Sequence, residues 1–291
     1  MPDLLLLSPS RCSACCGTGW IEVPGERGVT RCECAKLRIS AKRMEAANVP
    51  ERYRHCTIGT YELSDGIYSQ SQAAARTAAG VLVELIKANP RRNAQGVLLT
   101  GPPGVGKTHL GVSVINELLA TAPHLRCLFR DYRELLADIR HSYNPEVCAT
   151  EWSLLAPVFE ADVLVIDELG AERPTEFVLD TVSRILNTRY SRCRTTILTT
   201  NYPDLPPSDI ENGLAARRSS RCEALGDRIT EPMRSRLHEM TRVVELRGED
   251  FRFKRRPEQQ PIVRSTGECS THAMLFEPKT DPERGKVGER K

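Results

Sequence analysis

Aromatic residues make up only 5% of this 291-residue chain, with 2 Trp, 7 Tyr and 6 Phe. Extensive stacking of rings on bases is therefore excluded, and any polyanion would be held by basic side chains and helix N-termini. Long apolar runs are also missing. No stretch approaches the roughly 18 apolar residues of a membrane span. The one apolar run near the start, Leu4 to Leu7, is too short for a signal-peptide core, and Asp3 stands where a positive flank is needed. A cytoplasmic protein without a membrane partner is expected. The excess of one charge sign over the other is small, at +3, so composition alone announces no nucleic acid. The basic excess is local: 12 Lys/Arg stand against 7 Asp/Glu between Arg217 and Arg256.

Cysteine is plentiful. The chain has 11, an odd number that argues against a disulfide framework, and 5 of them fall between Cys12 and Cys34. Cys12 and Cys15 form one close pair, Cys32 and Cys34 another, with a turn-rich stretch between them that holds Gly17, Gly19, Pro24 and Gly25. Two such pairs joined by a hairpin can set four thiolates tetrahedrally around Zn²⁺. A segment this short cannot bury a sufficient core, whereas a structural zinc supplies about 10–16 kcal/mol of apparent binding free energy. Four thiolates leave no open coordination position, so the expected role is structural. Cys16 is a spare thiol or an alternative ligand.

Gly101, Pro102, Pro103, Gly104, Val105, Gly106, Lys107 and Thr108 stand in unbroken order after the apolar run Gly96 to Thr100 and before a helical stretch. This is a complete phosphate-binding loop. Its glycines let backbone N–H groups wrap the phosphates, Lys107 reaches the β- and γ-phosphates, and Thr108 offers its hydroxyl to Mg²⁺. ATP and Mg²⁺ are the expected ligands. A second apolar run, from Asp162, ends in Asp167 and Glu168. There Asp167 would hold Mg²⁺ and Glu168, pointing elsewhere, would polarise the attacking water. A third, Thr195 to Thr200, ends at Asn201, whose amide can orient that water or sense the γ-phosphate.

Strand and helix alternate from Gly96 onward, with helices expected between Asp131 and Pro157, over Thr175 to Arg194 and over Arg228 to Met240, and a last strand over Arg242 to Leu246. The pattern predicts an α/β fold, a parallel five-stranded sheet flanked by helices. Ala35 to Asn48 reads as a linker helix and Ile67 to Ala88 as a long helix. The expected division is a zinc module with its helix over 1–48, an ATPase domain over 49–256, and a disordered tail over 257–291.

The order of these elements resembles the DnaC, DnaI and IstB-like branch of the AAA+ ATPases, bacterial proteins that load replicative helicases or assist transposases. Besides the loop, the resemblance is carried by Val49-Pro50-Glu51-Arg52-Tyr53-Arg54, Asp167-Glu168-Leu169-Gly170, Thr199-Thr200-Asn201-Tyr202 and Arg247-Gly248-Glu249-Asp250-Phe251-Arg252. It implies self-assembly into a ring or spiral, single-stranded DNA in the pore, and a hexameric replicative helicase as partner. It also implies an arginine acting in trans on the neighbour's nucleotide. Arg236 looks like that finger, with Arg228 and Arg234 as nearby alternatives, and Arg252 like a nucleotide-sensing residue. The cysteine module resembles that of DnaI-type loaders and favours a helicase loader over an IstB-like transposase helper. A third reading, a nucleotide-switched recruitment protein with little hydrolysis, leaves Glu168 without a purpose.

Overall fold

The runs Gly96–Thr100, Val163–Asp167 and Thr195–Thr200 show no face to water, and every residue in them is buried. Strands of this kind belong in the middle of a sheet covered on both sides. A computed structural model describes residues 12–23, 28–64, 66–89, 95–205 and 223–254, all within one unit, Met1–Lys254. The tail expected over 257–291 lies outside the described residues.

A small antiparallel hairpin, β1 (Trp20–Glu22) and β2 (Val29–Arg31), precedes α1 (Glu33–Ala46) and α2 (Ser69–Ala88). Then follow β3 (Gly96–Thr100), α3 (Lys107–Thr121), β4 (Cys127–Asp131), α4 (Tyr132–His141), α5 (Glu151–Glu160), β5 (Val163–Asp167), α6 (Glu176–Ser191) and β6 (Thr195–Thr200). The described residues end with α7 (Leu225–Ile229), α8 (Glu231–Met240), β7 (Thr241–Glu245) and α9 (Phe251–Lys254). The five-stranded sheet has the order β4-β5-β6-β3-β7 and every pairing in it is parallel. Because β6 is inserted between β3 and β5, the tips of the three motif-bearing strands lie side by side.

Alternate residues of the strands feed two apolar layers. Val97, Leu99, Val163, Val165 and Ile197 pack with Leu110, Ile115 and Leu118 of α3 and with α2. Leu98, Leu164, Ile166 and Leu198 pack against α4 to α8 on the other face. Arg189 is fully buried there and gives all its nitrogens to neutral acceptors: Thr196 Oγ1 (2.9 Å), the Val158 and Ala161 carbonyls (2.7 and 2.9 Å) and the Thr195 carbonyl (2.6 Å). It thereby satisfies the carbonyl end of α5, where helix dipoles favour a cation. Burial still lowers its pKa to about 9.

Several boundaries differ from the sequence expectation. α1 begins at Glu33, so Cys34 lies in its first turn. Thr175 is outside α6 and caps it by accepting from Val178 N. Pro157 sits inside α5, where Leu155, Val158 and Phe159 are buried against the sheet and carry the helix past the lost backbone bond. The helix expected over Arg228 to Met240 is two helices, parted at Thr230 with φ +75° and ψ 150°. The end of α1 is docked on the sheet domain: Arg43 donates to the Leu119 and Ala122 carbonyls, and Phe129 N donates to the Ala47 carbonyl at 2.8 Å. No helix among the described residues is long and apolar enough to cross a membrane.

Candidate functional site

The loop between β3 and α3 turns on positive φ at Gly101, Gly104 and Gly106. At Gly106 (φ +92°) a Cβ would lie 2.5 Å from Tyr61 Cε2, so both backbone angle and space demand glycine. Tyr61 also donates its hydroxyl to the Val105 carbonyl at 2.8 Å. The loop is thus propped from outside by a residue the sequence reading gave no role. On its other flank the chain after β7 lies against it: Phe251 N donates to the Gly104 carbonyl at 3.1 Å, which brings Asp250 to the loop and Arg252 within electrostatic reach of Lys107.

Lys107 is the first residue of α3 and is buried. Its Nζ donates to the Gly101 and Pro102 carbonyls (2.8 and 2.7 Å) and to Asn201 Oδ1 (2.7 Å). Burial pulls its pKa down to about 8, against the opposing charges of Asp167 and Glu168. Thr108, one residue on, donates towards Asp167, its Oγ1 lying 2.9 Å from both carboxylate oxygens. Asp167 is buried and its pKa is raised, chiefly by desolvation. A hydroxyl beside a desolvated carboxylate at the mouth of a glycine loop is the oxygen donor set that a hydrated Mg²⁺ takes. Thr199, buried in β6, donates to Asp167 Oδ1 at 2.6 Å and accepts from Glu168 N at 3.0 Å. In the sequence Thr199 carries no mark of a function beyond its position, two residues before Asn201.

Glu168 has φ +59°, a conformation that costs a residue with a Cβ about 1–3 kcal/mol. The reversal turns the chain out of the strand directly after Asp167, so the adjacent acids need not share one task. The structure therefore brings together Lys107, Thr108, Asp167, Glu168 and Asn201 from the ends of three strands and the start of one helix.

It does not bring Arg228, Arg234 or Arg236 into that group. Arg234 is paired with Asp204 and Glu231. Arg228 is buried and bound to Gly170, Glu172 and Glu223. Arg236 is exposed on α8, and among the described residues its guanidinium donates to the neutral Asn187 amide of α6.

The four cysteines Cys12, Cys15, Cys32 and Cys34 have Sγ atoms all within 4.8 Å of one another. Cys12 lies 3.7 Å from Cys32 and Cys15 3.4 Å from Cys34. Tetrahedral Zn²⁺ with Zn–S near 2.3 Å spaces sulfurs by about 3.8 Å, so the donor set fits that metal. Burial opposes ionisation of Cys15, but backbone N–H groups of Gly19 and Gly17 and the neighbouring thiols bring it down to about 6. Cys34 is pushed up to about 12 by burial and by the Cys15, Cys12 and Cys32 thiols. Cys16 is exposed and its thiol faces the Ser13 carbonyl, outside the cluster.

The protein is 25% identical over 198 residues to the uncharacterized protein YqaM of Bacillus subtilis (strain 168), across 66% of this chain and 60% of that one. It therefore spans under two thirds of that relative's length. It is 23% identical over 180 residues to the replicative helicase loader DnaC of Escherichia coli (strain K12), covering 60% and 69% of the two chains. Among solved structures, a DnaC helicase loader superposes with TM-score 0.54 at 28% identity, over 68% of this chain and all of that one. DnaI superposes with TM-score 0.52 at 21% identity over 68% and 95%, which shows the shared fold. The model of the IstB-like ATP binding protein family matches residues 40–259, well over half of the chain, and the chain belongs to that family.

Proposed function

We propose that this protein is an ATP-dependent loader of a replicative DNA helicase, with hydrolysis as the switch that releases its partner. The observation that carries the ATPase reading is the convergence of Lys107, Thr108, Asp167 and Asn201 beside a Glu168 turned out of its strand. In this reading Lys107 leaves its neutral acceptors for the β- and γ-phosphates, and Thr108 and Asp167 hold Mg²⁺, which would neutralise charge developing on the transferring phosphoryl. Glu168 takes a proton from water and Asn201 orients it. Intrinsic turnover is low because the trans arginine comes from a neighbour, and Arg236, exposed and bound to a neutral amide rather than to a carboxylate among the described residues, is best suited of the three to that task. Arg252, whose charge reaches Lys107, senses the nucleotide.

We read residues 1–48 as the module that grips the helicase, folded around one structural Zn²⁺, and residues 49–256 as an ATPase domain that assembles in a ring or spiral on single-stranded DNA in the cytoplasm. The cysteine cluster and the loader relatives support this over an IstB-like transposase helper, which the matched family keeps as the second reading. Two experiments test the proposal. Glu168→Gln should keep ATP and Mg²⁺ while losing most turnover, whereas Lys107→Ala should lose nucleotide affinity as well; equal turnover in Glu168→Gln and the wild type would remove Glu168 as base. Size-exclusion chromatography with a purified hexameric helicase should show a complex that persists with ATP in Glu168→Gln, and its absence alongside a complex with a transposase would favour the second reading.

A further inference from the structure

Arg228 has every guanidinium nitrogen engaged inside its own subunit. Nε donates to the Gly170 carbonyl at 2.8 Å, Nη2 to the Glu172 carbonyl at 3.0 Å and Nη1 to Glu223 Oε2 at 2.7 Å. Glu223 is more than half exposed, so that pair contributes little. The two carbonyls matter more, because they belong to the turn that follows Glu168. The same guanidinium lies 4.9 Å from the centroid of the Tyr202 ring, and Tyr202 follows Asn201. The turn is pressed closely onto α7: at Gly170 (φ +82°) a Cβ would stand 3.0 Å from Arg228 Cβ and 3.3 Å from Tyr202 Cδ2.

On its other side the turn is tied to β6, with Leu169 N donating to the Thr199 carbonyl and Thr200 Oγ1 to the Leu169 carbonyl, both at 2.8 Å. A residue held at φ +59°, as Glu168 is, keeps that conformation only where its surroundings over-determine it. The strand supplies one wall and Arg228 the other. A buried cation committed in this way would leave Gly170 and Glu172 short of partners if it swung out to a neighbouring subunit.

We propose that Arg228 is a positioning residue acting in cis: it locks the 168–172 turn and Tyr202 together, and so holds the Glu168 carboxylate and the Asn201 amide in register over the phosphate site. This rests on the reading of Glu168 as the base. In the full-length protein, Arg228→Met should lower turnover about a hundredfold, the cost of a small misplacement of reacting groups, while ATP affinity stays at the wild-type value. Arg228→Lys, which keeps the charge but gathers its donors on a single nitrogen, should fall in between, and it carries the test if the methionine variant does not fold. In a Glu168→Gln background Arg228→Met should cause no further loss. Mixing Arg228→Met with Lys107→Ala should restore nothing, since both defects lie in the subunit that binds the nucleotide. Recovery in that mixture would make Arg228 a trans residue and overturn the proposal, as would wild-type turnover in both variants. A parallel fall of ATP affinity and turnover in both would reduce Arg228 to a structural role. Wild-type turnover of Glu168→Gln alone is a separate result and would strike the underlying reading instead.

Discussion

Lys107 is a cation in a nearly dry pocket, with carbonyls and an amide rather than a carboxylate around its Nζ. Burial has brought its pKa to about 8, and phosphate oxygens would raise it again. Nucleotide binding should therefore take up a proton above pH 8, and affinity, full below pH 8, should weaken by up to about tenfold per pH unit as pH rises through and beyond that value. Calorimetry at pH 8.5 in buffers of different ionisation enthalpy reads the uptake directly, and an enthalpy independent of buffer would refute it. The meeting of the loop, the acid pair and Asn201 was legible because each is written in a few consecutive residues at the end of an apolar run. Tyr61 and Thr199 were not, since a tyrosine that props Val105 and a threonine that aligns two acids look like any other strand or loop residue until the chain is folded. The cis setting of Arg228 was hidden for the same reason, its carbonyl partners lying 56 and 58 positions away.

Among the elements, the pair α7 and α8 carries the least comfortable backbone. Thr230 joins them at φ +75° and ψ 150°, a region suited to glycine and costly for a β-branched residue. Its carbonyl and amide still serve the helices, with Thr230 N donating to the Gly226 carbonyl and Arg234 N to the Thr230 carbonyl, each at 3.0 Å. Thr230→Gly keeps both bonds and should raise stability by roughly 1 kcal/mol, read from chemical denaturation. A loss of stability would show that the threonine side chain matters in its own right. The sequence shows one helical stretch here because Glu231-Pro232 is as good a helix start as an interruption. At α5 the opposite happened: Pro157 reads as a stop, yet burial of its neighbours prevails.

At the scale of the whole molecule, the cysteine cluster and the sheet domain are joined through α1, whose far end is anchored by Arg43, Ala47 and Asn48. The protein should carry one zinc per chain. Its removal should unfold the cluster while leaving the anchored end and ATP binding in place. Hydrogen exchange should accordingly rise across residues 12–34 on chelation and stay slow around residues 43–49; metal analysis without zinc would dismiss the expectation. Assembly makes a further demand on Arg236. If it completes a neighbour's site, specific ATPase activity should climb with protein concentration and with single-stranded DNA, and Arg236→Ala should abolish the climb with ATP affinity intact. Mixing Arg236→Ala with Lys107→Ala should then recover activity, and a concentration-independent rate without recovery would leave Arg236 a surface charge.

The strand order also governs when the protein can fold. The strand that leads into the phosphate loop, β3, is flanked in the sheet by β6 and β7, the last two strands of the five to be synthesised. As the chain leaves the ribosome, Gly96–Thr100 waits about a hundred residues for its first neighbour and longer for its second. Long-range pairing of this kind is slow and exposes apolar edges in the interval. The sheet around the phosphate loop therefore cannot be complete until β6 and β7 have been made. A nascent chain stopped before Thr195 would hold the whole phosphate loop in its sequence and have no pocket in which to use it.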